Sequence, residues 1–292
     1  MGSLVEEPDA REVTARARIV EIPIPTYYGD EICYVDGVKY AKDISRDVLR
    51  YRAHKMGFGT GDLAFASSAY ELKASEDSSH GSIFRWLEAR PPSRVLDLGC
   101  SDGALGELLV ELGHEVVGVD VEAHEGVQDR LSDFYQGDLD KGIPDAVQGD
   151  FDLILAADVL EHVRDPGRLL SQAGERLRPG GSVVTSIPNF GHWYPRLRVA
   201  MGLFDYDARG ILDEGHVRFF TRRSFEHLVD RTGWTVRRRE AVGLPFDVVD
   251  RGAGEPATRH GARSLVSRVD RAAVAIRPQL FAYQLLYELA PR

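Results

Sequence analysis

The segment that most constrains the fold is a short apolar strand that runs directly into a glycine-rich turn. Val95–Leu98 has the strand composition, the turn extends from Gly99 to Gly103, and a helix is predicted to begin at Ala104. In an open parallel sheet, such a turn lies at the carboxyl end of a strand, where ligands bind. Glycine permits the tight turn, and the first N–H groups of the helix remain available to a ligand. The segment therefore predicts an α/β fold with a ligand site at this edge.

Further strand-like segments follow, separated by helical patterns. Glu115–Asp120 ends in an acid about 20 residues beyond the glycine turn, the usual place for a carboxylate that accepts both ribose hydroxyl protons. Phe134–Leu139 ends in Gly-Asp-Leu, Phe151–Val163 runs into a loop, and Ser182–Asn189 follows a helix that Leu177–Gly181 is expected to close. This alternation predicts a parallel sheet with helices on both faces.

The spacing Asp97-x-Gly99-x-Ser101-x-Gly103 resembles the first motif of class I S-adenosylmethionine-dependent methyltransferases, with Ser101 where that family commonly has its middle glycine. The later segments resemble the family's other motifs in the same order. The resemblance implies a Rossmann-like doubly wound sheet, mostly parallel with a final antiparallel strand, and S-adenosylmethionine as cofactor. It also implies a set of cofactor-binding residues: Asp97, Gly99, Ser101, Gly103, Asp120, Val121, Asp138, Leu139, Ala157 and Asp158.

The same turn also matches the G-x-S-x-G nucleophile elbow of α/β-hydrolases, with Ser101 as the nucleophile. His162, His192 and His216 all lie downstream, so the order of a catalytic triad is possible. However, no HGG-type segment precedes the turn to supply an oxyanion donor, and the next strand ends in its own ribose-binding signal. The pattern favours a methyltransferase over a hydrolase.

The chain of 292 residues divides into three predicted regions. Residues 1–75 form an N-terminal extension or cap, with a helix from Tyr40 to about His54. Residues 76–245 form the methyltransferase core, with a substrate-binding insert at 190–220. Residues 246–292 contain a helix over Ala262–Ile276 and the last strand, which we expect within Gln279–Glu288.

Composition excludes several classes of function. The net charge of −10 argues against nucleic acid as a main partner, because that binding depends on basic surface. The two cysteines, Cys33 and Cys100, indicate a reducing compartment rather than a disulfide framework. No apolar run reaches the length of about 18 residues that a transmembrane helix needs. We therefore expect a cytoplasmic protein, with peripheral membrane contact left open.

The insert is dense in aromatic and basic residues. Segments 188–198 and 210–221 resemble bacterial methyltransferases of polysaccharide and lipopolysaccharide pathways, in the Pro-Asn…His and Leu-Asp-x-x-His-x-Arg-Phe-Phe-Thr form. We expect aromatic rings of the insert to stack on a sugar, and its arginines to pair with a phosphate or carboxylate. The predicted substrate-binding residues are Trp193, Tyr194, Phe204, Arg196, Arg198 and Arg218.

Methyl transfer to an alcohol requires a base for the hydroxyl proton, and histidine has a suitable pKa. His216 is the first candidate and His192 the second, with Asp213 predicted to orient the ring of His216. No metal is expected. The alternative is a divalent ion held by Asp158, Glu161 and His162, whose spacing is similar to that of ubiquinone-pathway O-methyltransferases.

A second resemblance lies near the N-terminus. Ile24–Glu31 and Tyr40–Asp43 are similar to the tail that follows family 2 glycosyltransferase domains, which implies a glycosyltransferase partner and a glycan acceptor. The function predicted is O-methylation of a small-molecule acceptor: a saccharide, a nucleotide-sugar or a lipid-linked glycan precursor. One alternative is N-, C- or O-methylation of a non-sugar natural product. Another is a non-catalytic protein that retains the cofactor fold and docks a glycosyltransferase.

Overall fold

The computed structural model describes residues 37–55, 58–59, 78–207, 209–245 and 265–292. Seven strands in these residues form one sheet. The strands are β1 (Arg94–Leu98), β2 (Glu115–Asp120), β3 (Asp133–Gln136), β4 (Phe151–Ala157), β5 (Leu177–Pro188), β6 (Trp234–Val242) and β7 (Gln284–Pro291).

The strands lie in the order β3-β2-β1-β4-β5-β7-β6. Strands β1 to β5 pair in parallel, whereas β7 is antiparallel to both of its neighbours, β5 and β6. The chain therefore starts at the centre of the sheet, moves to one edge and returns to build the other half. This confirms the predicted α/β fold, a mostly parallel doubly wound sheet with a final antiparallel strand.

Most of the helices lie between the strands along the chain, and the first two precede β1. Within the described ranges they are α1 (Gly37–Lys55), α2 (Ser79–Glu88), α3 (Ala104–Glu111), α4 (Val127–Arg130), α5 (Pro166–Glu175), α6 (Trp193–Ala200), α7 (Arg222–Arg231), α8 (Leu265–Ile276) and α9 (Pro278–Phe281).

The apolar side chains of the sheet divide into two clusters. Val95 and Leu153 pack with Ile83 and Leu87 of α2, whereas Leu96 packs in the cluster that also contains side chains from α5 and α7. Neighbouring strand residues enter different clusters because successive side chains of a strand point to opposite faces. The sheet is thus buried on both sides, and its carboxyl edge is left to carry the site.

Two boundaries differ from the sequence predictions. Leu177–Gly181 begins β5 instead of closing a helix, because Leu177 pairs with Phe151 of β4. The expected last strand starts later, at Gln284, since Pro278 begins the short helix α9, where its fixed φ favours a helical turn.

The segment Ile24–Glu31, which carries most of the glycosyltransferase resemblance, lies outside the described residues. Among the helices that are described, none is both long enough and apolar enough to cross a membrane.

A tight contact inside β2 gives a test of the fold. A Cβ on Gly118 would lie 2.7 Å from the Cys100 sulfur and would also overlap Leu131. Gly118→Ala should therefore lower the free energy of unfolding by about 1–3 kcal/mol, as overpacking does. Chemical denaturation measures the change. In the control Gly37→Ala the new methyl group meets no atom within 4 Å, and equal destabilisation of both variants would contradict the packing.

Candidate active site

The turn after β1 has an unusual backbone. Gly99, Ser101 and Gly103 all have positive φ, of 72°, 50° and 79°. A left-handed conformation is strained for serine, and the Ser101 N–H donates a 2.8 Å hydrogen bond to Oδ2 of Asp120 that holds it in place. A Cβ on Gly99 would lie 2.6 Å from Cγ2 of Val159, so this turn packs directly against the loop after β4. Glycine at position 99 therefore permits a close contact that any side chain would block.

Two acidic side chains lie at this turn. The pKa of Asp97 is raised from its ordinary value of 3.8 to about 7. Burial is the main cause, and the charge of Asp120 contributes in the same direction. Burial, together with Asp97 and Asp120, also raises the pKa of the Cys100 thiol, which is therefore protonated and not nucleophilic. Adjacent carboxyl groups in a buried position favour a cationic ligand.

The other predicted cofactor residues lie at the carboxyl ends of neighbouring strands. Val121 is exposed directly after β2. Asp138 follows β3, and its Oδ1 accepts the Asp140 N–H at 3.0 Å. Leu139 and Ala157 are half-buried. The fold brings all of these residues to one edge, as the sequence predicted.

Asp158, which follows β4, is held in a second left-handed position, with φ of 55°. The Ser186 hydroxyl donates to its Oδ1 at 2.6 Å, and Gln284 Nε2 donates to both carboxylate oxygens at 2.7 Å. Ser186 belongs to β5 and Gln284 begins β7, so the adjacent strand β5 and the next strand β7 together hold one carboxylate. Sequence reasoning missed both partners, because no local signal indicates which residue of a distant antiparallel strand reaches β4.

Three residues with metal-ligating side chains come together beside Asp158. The ligand atoms of Glu161, His162 and His216 all lie within 4.8 Å of one another. The two imidazole rings have centroids 4.7 Å apart. The spacing in the sequence predicts a group of Asp158, Glu161 and His162. In the structure His216 from the insert joins Glu161 and His162, whereas Asp158 is hydrogen-bonded to Ser186 and Gln284.

Main-chain carbonyl groups fix the tautomers of both histidines. Nδ1 of His216 lies 3.2 Å from the Ile211 carbonyl oxygen, and Nδ1 of His162 lies 3.0 Å from that of Gly215. Because a carbonyl oxygen only accepts, each Nδ1 carries the proton and each Nε2 keeps a lone pair. Both rings can therefore accept a proton or bind a cation through Nε2.

The surroundings of His216 favour its neutral form. Burial lowers its pKa most, the neighbouring His162 lowers it further, and the charge of Asp213 opposes these effects. The sequence predicts that Asp213 orients the ring of His216, but the Ile211 carbonyl oxygen makes that contact. Asp213 acts on the ring only through its charge, and its Oδ1 accepts the Gly215 N–H at 2.7 Å.

His192 has the opposite tautomer. Its Nδ1 accepts the Tyr194 N–H at 3.3 Å and so caps α6, which leaves the proton on Nε2. Burial lowers its pKa to about 4, so the ring is neutral at physiological pH. His192 is thus arranged to donate a hydrogen bond from Nε2, whereas His216 is arranged to accept a proton.

A cluster of aromatic rings extends from His216 to the surface of the insert. Phe219 lies 6.2 Å from His216 between ring centroids, and it also contacts Phe190, Phe204 and Tyr206 at 5.2, 5.7 and 6.3 Å. Phe204 and Tyr206 are about half exposed. These rings form an aromatic surface that begins at the candidate base.

The three arginines predicted to bind an anionic substrate are engaged within the protein. Arg196 Nε donates to the Gly191 carbonyl oxygen at 2.6 Å, and Arg218 donates to the carbonyl oxygen of Arg164. Arg198 is buried and pairs with Asp207 at 2.6 Å.

Tyr194 takes part in the same buried pair, since its hydroxyl donates to Asp207 Oδ2 at 2.9 Å and accepts from Arg198 Nη1 at 2.9 Å. Trp193 and Phe204 stay accessible, with 38% and 49% of their surface exposed. The apolar part of the predicted substrate surface is therefore open. Of the three arginines, Arg198 is buried in an ion pair, whereas Arg196 and Arg218 are exposed.

Comparisons with known proteins identify the family of this chain. The family described as a methyltransferase domain matches residues 76–238, more than half of the chain. The ubiquinone biosynthesis O-methyltransferase of Azorhizobium caulinodans is 36% identical over 104 residues, covering 33% of this chain and 40% of that protein. The protein of the same name from Burkholderia orbicola is 28% identical over 186 residues, covering 56% of this chain and 79% of that protein.

Solved structures with similar folds include two methyltransferases with bound S-adenosylhomocysteine. The magnesium protoporphyrin IX methyltransferase of Synechocystis has a TM-score of 0.49 and 16% identity, covering 87% of this chain and 97% of that one. A SAM-dependent methyltransferase of Geobacter sulfurreducens has a TM-score of 0.48 and 19% identity, covering 77% and 95%.

The chain belongs to the methyltransferase-domain family, which confirms the predicted enzyme class. It spans less than half the length of the Azorhizobium relative. The relatives are named for ubiquinone biosynthesis, and none of those described above is named for a saccharide substrate.

The pKa of Asp97 makes stability depend on pH in an unusual direction. Because the folded-state pKa is raised to about 7, folding is favoured while the carboxyl group is protonated, and stability falls as pH rises from about 4 through about 7. Asp97→Asn should therefore melt at a higher temperature than the wild type at pH 8, and the difference should shrink as the pH falls and largely vanish below the ordinary carboxyl pKa of 3.8. A difference in melting temperature that is independent of pH would contradict this assignment.

Proposed function

We propose that this protein is an S-adenosylmethionine-dependent O-methyltransferase that acts on the ring hydroxyl of a small, uncharged aromatic acceptor. The observation that carries the proposal is the contact between two loops at one sheet edge. The left-handed turn at Gly99 packs on Val159, and the loop containing Val159 also carries His162, which lies against His216. The turn proposed to bind the cofactor is thus connected to His216, the proposed proton acceptor, through Val159 and His162.

The residues of the glycine turn fit the cofactor. The turn lies at the carboxyl end of β1, where ligands of such sheets bind, and Asp120 offers carboxylate oxygens for the ribose hydroxyls. Asp97 and Asp120 complement a ligand that carries an ammonium and a sulfonium group. When bound, S-adenosylmethionine supplies an electrophilic methyl group.

His216 is the residue proposed to accept the proton of the acceptor hydroxyl. Its Nε2 lone pair is fixed by the Ile211 carbonyl oxygen, and burial keeps the ring neutral at the start of the reaction. As the acceptor oxygen forms its bond to the methyl carbon, its proton moves to Nε2. His192 is less suited to this role because its proton is already on Nε2.

The acceptor class follows from the insert. The half-exposed rings of Phe204 and Tyr206 offer an aromatic surface, whereas Arg196, Arg198 and Arg218 make internal contacts. A planar ring gains from stacking on this surface, and the charge of Arg198 is already neutralised by Asp207. The names of the relatives, ubiquinone biosynthesis O-methyltransferases, support O-methylation. A neutral sugar, which can also stack on aromatic rings, is the alternative acceptor.

A divalent cation is a second candidate for activating the hydroxyl. Glu161, His162 and His216 offer a carboxylate and two imidazole rings, with one ligand atom of each within 4.8 Å of the others. Backbone carbonyls orient both rings as second-sphere partners orient metal-bound histidines. A cation here would lower the pKa of a bound hydroxyl in place of a proton transfer to His216.

Calorimetry with S-adenosylhomocysteine tests the cofactor. Asp120→Asn keeps an oxygen for the Ser101 N–H but loses the carboxylate, so binding should weaken by about 1–3 kcal/mol. Asp129→Asn on the exposed face of α4 is the matched control, with unchanged binding expected. Absence of binding by folded wild-type protein would contradict the cofactor assignment.

Methyl transfer to catechol, methyl glucoside and UDP-glucose tests the acceptor and the base. We expect catechol to be methylated and His216→Gln to lower kcat by about 100-fold or more, with S-adenosylhomocysteine binding unchanged. The wild-type rate should fall on the acid side, below the ordinary histidine pKa of 6.5. His227→Gln, exposed on α7, is the control.

The same assay separates the two ways of activating the hydroxyl. If His216 acts as the base alone, a chelator leaves the rate unchanged. Loss of activity with EDTA and recovery with Mg²⁺ or Mn²⁺ would instead assign His216 to a metal site. Transfer to the sugars but not to catechol would overturn the aromatic acceptor and restore the saccharide.

A further inference from the structure

Among the described residues of the N-terminal region, Phe58 and Gly59 contact the insert directly. Phe58 remains attached to the last turn of α1, because its N–H donates to the Ala53 carbonyl oxygen at 2.9 Å. Most of α1 is exposed, and towards its end Tyr51, Ala53 and His54 are half-buried. The charge of Arg209 in the insert also acts on His54. Phe58 and Gly59 thus join the end of α1 to the insert.

The ring of Phe58 lies among aromatic side chains from separate parts of the fold. Its centroid is 4.4 Å from that of Tyr194 and 6.2 Å from that of His192, whose plane is within 12° of parallel. Tyr283, just before β7, meets it edge-on at 6.0 Å. One side chain thus joins the N-terminal region, the insert and the segment before β7.

Gly59 completes a buried polar network of the insert. Its N–H donates a 2.9 Å hydrogen bond to the Tyr194 hydroxyl, and that hydroxyl in turn donates to Asp207, the partner of Arg198. Gly59 has a φ of 105°, which residues with a Cβ rarely adopt. The network fixes the position of Phe58 over α6.

Under Phe58 lies a buried hydrogen-bond donor. His192 is fully buried, and within the described ranges its Nε2 has no hydrogen-bond partner. Since Nδ1 caps α6, Nε2 carries the proton. Buried donors without an acceptor are rare in folded proteins, so this atom indicates a place where a ligand oxygen completes the contact.

This cluster adjoins the reaction edge of the sheet. The Tyr283 carbonyl oxygen accepts the Asn189 N–H at 2.9 Å, which fixes the start of the insert. The next residue, Gln284, holds the Asp158 carboxylate. Phe58 and His192 therefore contact the residue that precedes the one holding the loop after β4.

We propose that Phe58 and Gly59 form a wall of the acceptor pocket, in which Phe58 limits the size of the acceptor ring and His192 donates a hydrogen bond to its oxygen. This inference rests on the proposed function and adds the determinants of acceptor specificity. It assigns a binding role to the N-terminal region, which lies outside residues 76–238 that define the methyltransferase domain.

The first test compares Phe58→Ala with the wild type on catechol and on the bulkier 4-tert-butylcatechol. Removing the ring should lower kcat/KM for catechol by about ten-fold, as expected for the loss of one aromatic contact, and should raise the relative rate with the bulky compound. Binding of S-adenosylhomocysteine should not change. Val48→Ala, exposed in α1, is the control.

Fluorescence gives an independent measure of the same contact. Trp193 lies 6.2 Å from Phe58 and is 38% exposed, whereas Trp86 and Trp234, the other two tryptophans, are each 3% exposed. Acrylamide quenching therefore reports mainly on Trp193, and it should increase in Phe58→Ala. Unchanged quenching or an unchanged preference between the two catechols would overturn the wall. A wild type that methylates neither catechol overturns the proposed acceptor, and the wall with it.

His192→Asn tests the donor separately. Asparagine retains an oxygen that can cap α6 but loses the Nε2 proton donor, so the melting temperature should stay within a few degrees of the wild type. We expect KM for catechol to rise about ten-fold, the effect of one lost hydrogen bond in a buried site, with a smaller effect on kcat. An unchanged KM would contradict the role of His192.

Discussion

The hydrogen bond from the Ser101 N–H to the Asp120 carboxylate is the interaction on which the site depends. It joins the turn after β1 to the end of β2, and it holds a serine in a backbone conformation that normally requires glycine. With that conformation fixed, Gly99 can pack on Val159. The position of the loop after β4, which carries the histidine pair, is therefore coupled to the cofactor turn.

The other half of the sheet fixes the site from the opposite side. The chain crosses back to place β7 antiparallel to β5, and the first residue of β7, Gln284, binds both oxygens of Asp158. Asp158 is again left-handed, so both loops contain a residue in a backbone conformation that is strained for a side chain. The Ser101 N–H bonds to Asp120 at the end of β2, and the Asp158 N–H bonds to the Ser186 hydroxyl of β5. The antiparallel strand β7 thus orders the loop after β4 and also joins β5 to β6.

Local patterns predicted the elements that local physics determines. The glycine turn, the acid of Asp120 and the helix start at Ala104 all follow from steric and hydrogen-bonding rules within a few residues of the chain. The arginines of the insert show where such reasoning fails. Arg198 has the sequence context of an exposed anion-binding residue, but Asp207 lies nine positions away and pairs with it in a buried site. Only the three-dimensional path of the insert reveals that this charge is neutralised internally.

The tautomers of the three histidines distinguish proton acceptors from a proton donor, a difference that the sequence does not show. His162 and His216 face main-chain carbonyl oxygens and keep Nε2 lone pairs, whereas His192 faces a main-chain N–H and keeps an Nε2 proton. A proton acceptor and a proton donor are both useful to an enzyme that binds a hydroxylated ring and deprotonates one of its hydroxyls. Because backbone atoms set these states, changes in side chains of the aromatic surface can alter the acceptor without disturbing the chemistry.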